Sequence, residues 1–91
     1  MLSKPTPAAR ALMWDVLYLC MKITDTTKAD CFFEYAPHVN SYHVYLCRDG
    51  WSEGATFEYV AQCAEITAEN LGATYAKLKK FYDELKEKKD V

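Results

Sequence analysis

The first apolar pattern along the chain predicts an amphipathic helix. Between positions 12 and 23, apolar residues recur at steps of three and four, which places them on one helical face. Thr6 can cap this helix. Pro7 suits the first helical position, because the backbone N–H that proline lacks has no partner within the helix at that position. We predict a helix from Pro7 to Ile23 that ends in the threonine-rich segment 24–27. Its apolar face is Leu12, Val16, Leu19, Cys20 and Ile23.

This helix carries more apolar surface than one sheet can bury. At about 100° per residue, Trp14, Tyr18 and Met21 extend the apolar surface around the helix, and only Asp15 and Lys22 form a clearly polar strip. Either the second helix covers part of this surface, or the three large side chains form an exposed stripe that contacts another protein chain. A homodimer would satisfy the second alternative.

Two β-prone runs follow, each with aromatic residues in period-two alternation. They span residues 30–35 and 41–47 and flank a short loop, which is typical of a hairpin. Turn signals at Gly50 and Gly54 lead to a third alternating run between positions 56 and 66. We predict a third strand in this run, with a helix as the alternative.

The register of the hairpin decides which side chains point toward the core. If Val44 and Leu46 point inward, so do Phe33, Tyr35 and Tyr42. A slip of one residue would exchange part of the two faces, and the sequence leaves both registers open. In the first register the outer face carries Phe32, Glu34, His43, Tyr45 and Cys47.

A second amphipathic helix completes the predicted fold. Thr67 can cap it, and Glu69 lies in the first turn, where the helix dipole favours an acid. Its apolar face packs on the sheet or, as an alternative, pairs with a second copy in a short coiled coil. We predict one α+β domain over residues 1–91: a helix, a three-stranded antiparallel meander and a C-terminal helix, with both helices on one sheet face. The apolar face of this last helix is Leu71, Tyr75, Leu78, Tyr82 and Leu85.

The composition is that of a small globular protein. Apolar residues make up 51% of the 91 residues and charged residues 26%, and no segment has the features of a signal peptide or a membrane span. The four cysteines contain no Cys-x-x-Cys pair, so we expect reduced thiols in a cytoplasmic protein and no metal or other cofactor. The thiols are expected to be buried or half-buried, and Cys31 and Cys47 could face each other across the hairpin.

Charge is distributed unevenly along the chain. Residues 25–70 contain eight acidic side chains against two basic ones, whereas residues 71–91 contain six lysines against four acids. Either these are ordinary solvated faces, or the acidic sheet region repels nucleic acid and suits a basic partner surface. The C-terminal lysines are Lys77, Lys79, Lys80, Lys86, Lys88 and Lys89.

Catalytic patterns are sparse. A Cys or Ser nucleophile needs a neighbouring base, and only His38 and His43 are conventional bases in this chain. His43 is too far along its strand from Cys47 to hydrogen-bond with it. Either His43 pairs with Cys31 across the strands, or it is an ordinary surface or interface residue, which is the interpretation we favour. No glycine-rich phosphate loop, metal-binding histidine pair or paired carboxylate motif is present, so we expect a protein that is not an enzyme.

The segment from Phe33 to Ser41, followed by Val44-Tyr45-Leu46 and Gly50-Trp51, resembles short uncharacterised open reading frames of phages and mobile elements from Gram-positive bacteria. In these a strand, a His-Val-Asn loop, a second strand ending at Gly-Trp and a C-terminal helix recur. The resemblance covers residues 30–85 and implies a small accessory protein. Such a protein would bind and modulate, or inhibit, a host or defence protein, in the manner of an anti-CRISPR protein.

The residues favour a protein-binding module with an acidic, aromatic surface. The alternative is a small nucleic-acid-associated regulator that uses the lysine-rich C-terminal helix. A third option is an enzyme or ligand-binding protein built around His43 and the aromatic face. The predicted partner-binding residues are Trp14, Tyr18, Met21, Phe32, Glu34, His43, Tyr45, Asp49, Trp51, Glu53 and Glu58.

Overall fold

The computed structural model describes residues 4–87, and its element order confirms the predicted α+β fold. Three antiparallel strands form a meander of order β1-β2-β3, and a helix stands at each end of it. A short 3-10 turn, Pro37–Val39, joins the first two strands. The main elements are α1 (Pro7–Thr26), β1 (Asp30–Ala36), β2 (Ser41–Cys47), β3 (Glu58–Glu65) and α2 (Ala68–Glu87).

Threonine hydroxyls define the ends of both helices. The hydroxyl of Thr6 accepts the N–H of Ala9 at 3.1 Å, and the hydroxyl of Thr67 accepts the N–H of Asn70 at 3.1 Å, as the capping prediction requires. Helix α1 continues to Thr26, beyond the predicted end at Ile23. The hydroxyls of Thr24, Thr26 and Thr27 donate to carbonyls one turn earlier, and the N–H of Thr27 closes the last turn on the carbonyl of Ile23 at 3.0 Å.

Both helices pack on one face of the sheet, here called the inner face. Their apolar stripes meet the inward side chains of β2, as the spacing of the leucines predicted. The phenol of Tyr42 lies between sheet and α2 and is fully buried. The core comprises Ala9, Val16, Leu19, Cys20, Ile23, Ala29, Tyr42, Val44, Leu46, Val60, Ile66, Leu71, Leu78 and Leu85.

The hairpin adopts the register that directs Val44 and Leu46 inward. Phe33 opposes Val44 and Tyr35 opposes Tyr42, so these side chains share the inner face. Tyr35 nevertheless remains half-exposed, because it lies toward the end of the sheet near Pro37.

Cys31 and Cys47 do not face each other across the hairpin. Cys31 opposes Leu46 and Cys47 opposes Asp30, so consecutive pleats direct the two thiols to opposite faces. Cys47 points to the outer side of the sheet, as the register predicts, and it is buried because the loop after β2 folds around it. Cys31 instead lies beside Cys20 of α1, and this thiol contact together with burial raises the pKa of Cys20.

The third run is a strand, and the helical alternative is wrong. Its pairing with β2 is irregular, with register shifts on either side of Val44. Cys63 has a φ of 50°, in the left-handed region that side chains rarely adopt. These irregularities are typical of β-bulges, so the simple alternation through Ala61 and Cys63 does not persist along the strand.

Candidate partner-binding surface on the open sheet face

The face of the sheet opposite the helices is open and carries four aromatic side chains. Because α1 and α2 both pack on the inner face, no described element covers these rings. Phe57 is 41% exposed and Tyr59 is 48% exposed. We call this set, Phe32, Tyr45, Phe57 and Tyr59, the aromatic cluster.

Tyr45 is the centre of the aromatic cluster. Its ring stacks on that of Phe32 with centroids 5.0 Å apart and an interplanar angle of 12°. Phe57 meets the Tyr45 ring edge-on at 5.3 Å, and Tyr59 lies at 5.3 Å on a tilted plane. Such geometries are favourable for aromatic quadrupoles, so the rings hold one another in place before any partner arrives.

A carboxylate fixes the polar end of the cluster. The hydroxyl of Tyr45 donates to Oε2 of Glu34 at 2.5 Å across the hairpin. This hydrogen bond, with smaller contributions from burial and from the negative charge of Glu34, raises the pKa of Tyr45 to about 12. The phenol is therefore neutral at physiological pH, and the carboxylate is held at the rim of the aromatic cluster.

His43 and Cys63 form a second polar feature on this face. The backbone N–H of Cys63 donates to Nδ1 of His43 at 3.2 Å, which in the neutral ring leaves the proton on Nε2. Nε2 lies 3.9 Å from Sγ of the exposed Cys63. The alternative in which His43 pairs with Cys31 is wrong, because His43 opposes Glu34 and Cys31 points to the inner face. The sequence pattern did not indicate Cys63 as the neighbour of His43, because the irregular pairing of β3 with β2 breaks the period-two alternation near Cys63.

The loop after β2 presents the predicted residue Trp51 to solvent. Its side chain is 62% exposed, and its backbone N–H donates to Oδ2 of Asp30 at 2.6 Å. Asp49 lies 3.8 Å from the amine of Lys28 in an exposed ion pair, and Glu53 is exposed. These residues border the sheet, but the Trp51 ring does not stack with the aromatic cluster.

Glu58, one of the predicted partner-binding residues, forms an ion pair within the protein. It opposes Leu46, whose side chain points inward, and its Oε2 lies 2.6 Å from Nε of Arg48. The same guanidinium lies 3.6 Å from Glu84 and covers the ring of Phe81 at 4.9 Å. Arg48 therefore ties β2 to β3 and α2. The sequence identified only a turn at this position and gave no signal for that role.

The predicted stripe on α1 is exposed but lies on a different part of the molecule. Trp14 is 71% exposed, and Tyr18 and Met21 are also more than half exposed. All three project from the helix layer, whereas the aromatic cluster lies across the sheet. The predicted residues thus lie on two surfaces, one on α1 and one on the hairpin side of the sheet.

Positive charge lies away from the aromatic cluster. The three strands contain no lysine or arginine, but they include Asp30, Glu34, Glu58 and Glu65. On the helix side, the amines of Lys22, Lys79 and Lys86 lie 5.2 to 5.4 Å from the centre of the Tyr82 ring. Phosphate recognition would need cations beside the stacking rings, and the outer face has none on its strands. The predicted Lys88 and Lys89 lie outside the described residues.

The chain matches no family model, no curated protein and no solved structure. Between residues 4 and 87, neither helix is long and apolar enough to cross a membrane. In the same described part, no group of three or more His, Cys, Asp or Glu side chains is arranged to hold a metal ion.

Proposed function

We propose that the protein is a non-enzymatic protein-binding module that recognises its partner through the open sheet face. The observation that supports this most directly is the aromatic cluster, four mutually packed rings on a face that neither helix covers. Rigid aromatic side chains are the residues that most often anchor protein interfaces, since they bury a large area at little cost in conformational entropy.

Charge favours a basic partner. Glu34 is held at the rim of the cluster by Tyr45, and the exposed Asp49 and Glu53 lie in the adjoining loop. A positive partner surface would be steered toward this face, and a negative one such as a nucleic acid backbone would be repelled. The resemblance to open reading frames of phages and mobile elements motivates the choice of host and defence proteins as the first partners to test.

The test compares partner capture by matched variants. The immobilised protein captures partners from a Gram-positive bacterial lysate, mass spectrometry identifies them, and affinities are then measured with the purified partner. The double variant Phe57→Ala/Tyr59→Ala should weaken binding by about 2 kcal/mol or more, roughly 30-fold in Kd, because it removes the exposed half of the cluster. Tyr75→Ala is the control, since it removes a tyrosine that is exposed on α2.

Two results would contradict the proposal. One is that Phe57→Ala/Tyr59→Ala captures the partner as well as the wild type does, while its melting temperature stays near that of the wild type. The other is tight binding to DNA or RNA at physiological salt that disappears in Lys77→Glu/Lys80→Glu, because phosphate binding depends on lysines and falls steeply with salt. That second result would instead support a nucleic-acid-associated regulator.

A further inference from the structure

The free edge of β1 has backbone groups that point away from the sheet. Along an antiparallel strand, the N–H and C=O of one residue face one neighbour, and those of the next residue face the opposite side. The N–H of Cys31 donates to the hydroxyl of Thr24 at 3.0 Å, outside the sheet. The same side of the strand therefore presents the N–H and C=O groups of Phe33 and Tyr35. Within residues 4–87, no hydrogen-bond partner is found for them.

This stretch of edge is short and bounded. Thr24 occupies the edge at Cys31, and Pro37, which has no N–H, follows the end of β1. Between these limits, β1 pairs with β2 without any register shift, so the edge at Phe33 and Tyr35 is regular. The other edge of the sheet, on β3, is irregular, because bulges disrupt its pairing with β2. Irregular edges are poor templates for an added strand, and regular ones are good templates.

An apolar groove of about 520 Å³ runs between this edge and helix α1. Its walls are Met13, Trp14 and Leu17 from the helix and Phe33 and Tyr35 from the strand. A strand added beside β1 would direct every second side chain toward the helix layer and into this groove. Backbone pairing and side-chain pockets would then act together, as they do when peptides add to a sheet edge.

One end of the groove is positively charged. Arg10 lines both the groove and an adjoining cleft beside Tyr35, and this cleft also contains Lys4 and His38. Among the described residues, no carboxylate lies within 4.0 Å of the charged groups of Lys4 and Arg10. The Nε of Arg10 donates to the carbonyl of Pro5 at 3.4 Å, which holds the guanidinium at this end. An anionic group of a ligand would be complementary here.

We propose that the edge of β1 and the groove beside it bind an extended peptide segment as a fourth strand. The segment carries apolar side chains at alternate positions, facing Trp14 and Leu17, and a carboxylate at the end beside Arg10. This site uses the edge and inner side of β1, whereas the aromatic cluster lies on the outer face, and the proposal does not rest on the function proposed for the cluster. It extends the predicted role of Trp14 by giving that residue a specific kind of ligand.

The test begins with a phage-displayed library of random heptapeptides, selected on the wild-type protein. The most enriched sequences are synthesised with a fluorescein label, and their Kd is measured by fluorescence polarisation. Tyr35→Pro removes the outward N–H and should raise Kd about tenfold over Tyr35→Ala, which loses the same ring but keeps the N–H. Proline is tolerated on an edge strand where the N–H faces solvent, so the fold should persist.

The Kd of a charge-reversal variant and amide hydrogen exchange in the wild-type protein test the proposal independently. Arg10→Glu should raise Kd at least threefold, whereas Lys80→Glu, an equal charge change on α2, should leave it unchanged. In the wild-type protein, saturating peptide should slow amide exchange at Phe33 and Tyr35, and this result does not depend on any variant folding. Enriched peptides should contain alternating apolar residues and at least one acid.

Several results would overturn the proposal. Failure of any peptide to be enriched over the unselected library would do so, as would equal binding to Tyr35→Pro and Tyr35→Ala. A loss of binding confined to Phe57→Ala/Tyr59→Ala would move the peptide to the open sheet face. A wild-type dimer that dissociates in Tyr35→Pro would show that a second copy of the chain, instead of a peptide, occupies the edge.

Discussion

The hydrogen bond between Tyr42 and Thr74 is the buried polar contact between the sheet and α2, and its proton arrangement predicts an asymmetric response to mutation. The two hydroxyl oxygens are 2.6 Å apart, and the Tyr42 side chain is 0% exposed. The Thr74 hydroxyl donates its single proton to the carbonyl of Asn70 at 2.9 Å. Tyr42 must therefore be the donor to Thr74.

The two single substitutions leave different groups without partners. Tyr42→Phe removes the donor, but Thr74 keeps its bond to Asn70, so the expected cost is about 1 kcal/mol of unfolding free energy. Thr74→Val preserves the volume but leaves the buried phenol hydroxyl without an acceptor. The desolvation cost of that hydroxyl is about 1 to 3 kcal/mol, so Thr74→Val should be the more damaging change. The double variant should be about as stable as Tyr42→Phe, because it contains no orphaned hydroxyl.

Urea unfolding of the four proteins, followed by circular dichroism, measures these differences. Tyr75→Phe is the control for the loss of a phenol hydroxyl, because Tyr75 is exposed on α2 and should change stability little. The reasoning would be refuted if Thr74→Val cost no more than Tyr42→Phe, or if the costs of the two changes were additive in the double variant.

The remaining predictions concern glycines, thiols and alkaline pH. Gly72→Ala should stabilise the protein by up to about 1 kcal/mol, because it lies within α2 with open space around a new Cβ. Gly50→Ala should destabilise it by about 1 to 2 kcal/mol, because φ is +89° and the Cβ would lie 3.2 Å from a backbone oxygen; urea midpoints test both. Iodoacetamide at pH 8 should modify the exposed Cys63 first and Cys20 last, since burial and the raised pKa keep Cys20 a thiol; peptide mass spectrometry reads the order. Because the pKa of Tyr45 is raised to about 12 from 10.0, stability should be unaffected by this group below pH 10 and fall from pH 10 to 12, and Tyr45→Phe should show a smaller alkaline decrease in urea midpoint.

Local periodicity was sufficient to predict the order of helices and strands, because each element buries a continuous apolar face. The leucines of α2 recur at helical spacing, and the hairpin alternates with period two, so the core follows from the pattern. Once Val44 points inward, the pleat also determines that Tyr45 faces outward. The outward position of Tyr45, the centre of the aromatic cluster, could therefore be inferred from the sequence alone.

The remaining features depend on geometry that leaves no local signal. The bulge at Cys63 brings its thiol to His43, and no residue pattern marks that irregularity. The network around Arg48 joins side chains from three separate elements, so it requires the packed fold. The groove beside β1 likewise forms only where α1 packs along the sheet edge, and the sequence indicated only that Trp14 would be exposed.

The two proposed surfaces share β1, and this arrangement connects their functions. Phe32 belongs to the aromatic cluster, whereas Phe33, the next residue, lines the groove. A peptide added to β1 would direct half of its side chains into the groove and the other half onto the outer face beside Phe32. A partner bound to the aromatic cluster would then also contact the peptide. Because such coupling is reciprocal, the factor by which one ligand changes the affinity of the other applies in both directions: an increase where the two ligands contact favourably, and a decrease where they collide.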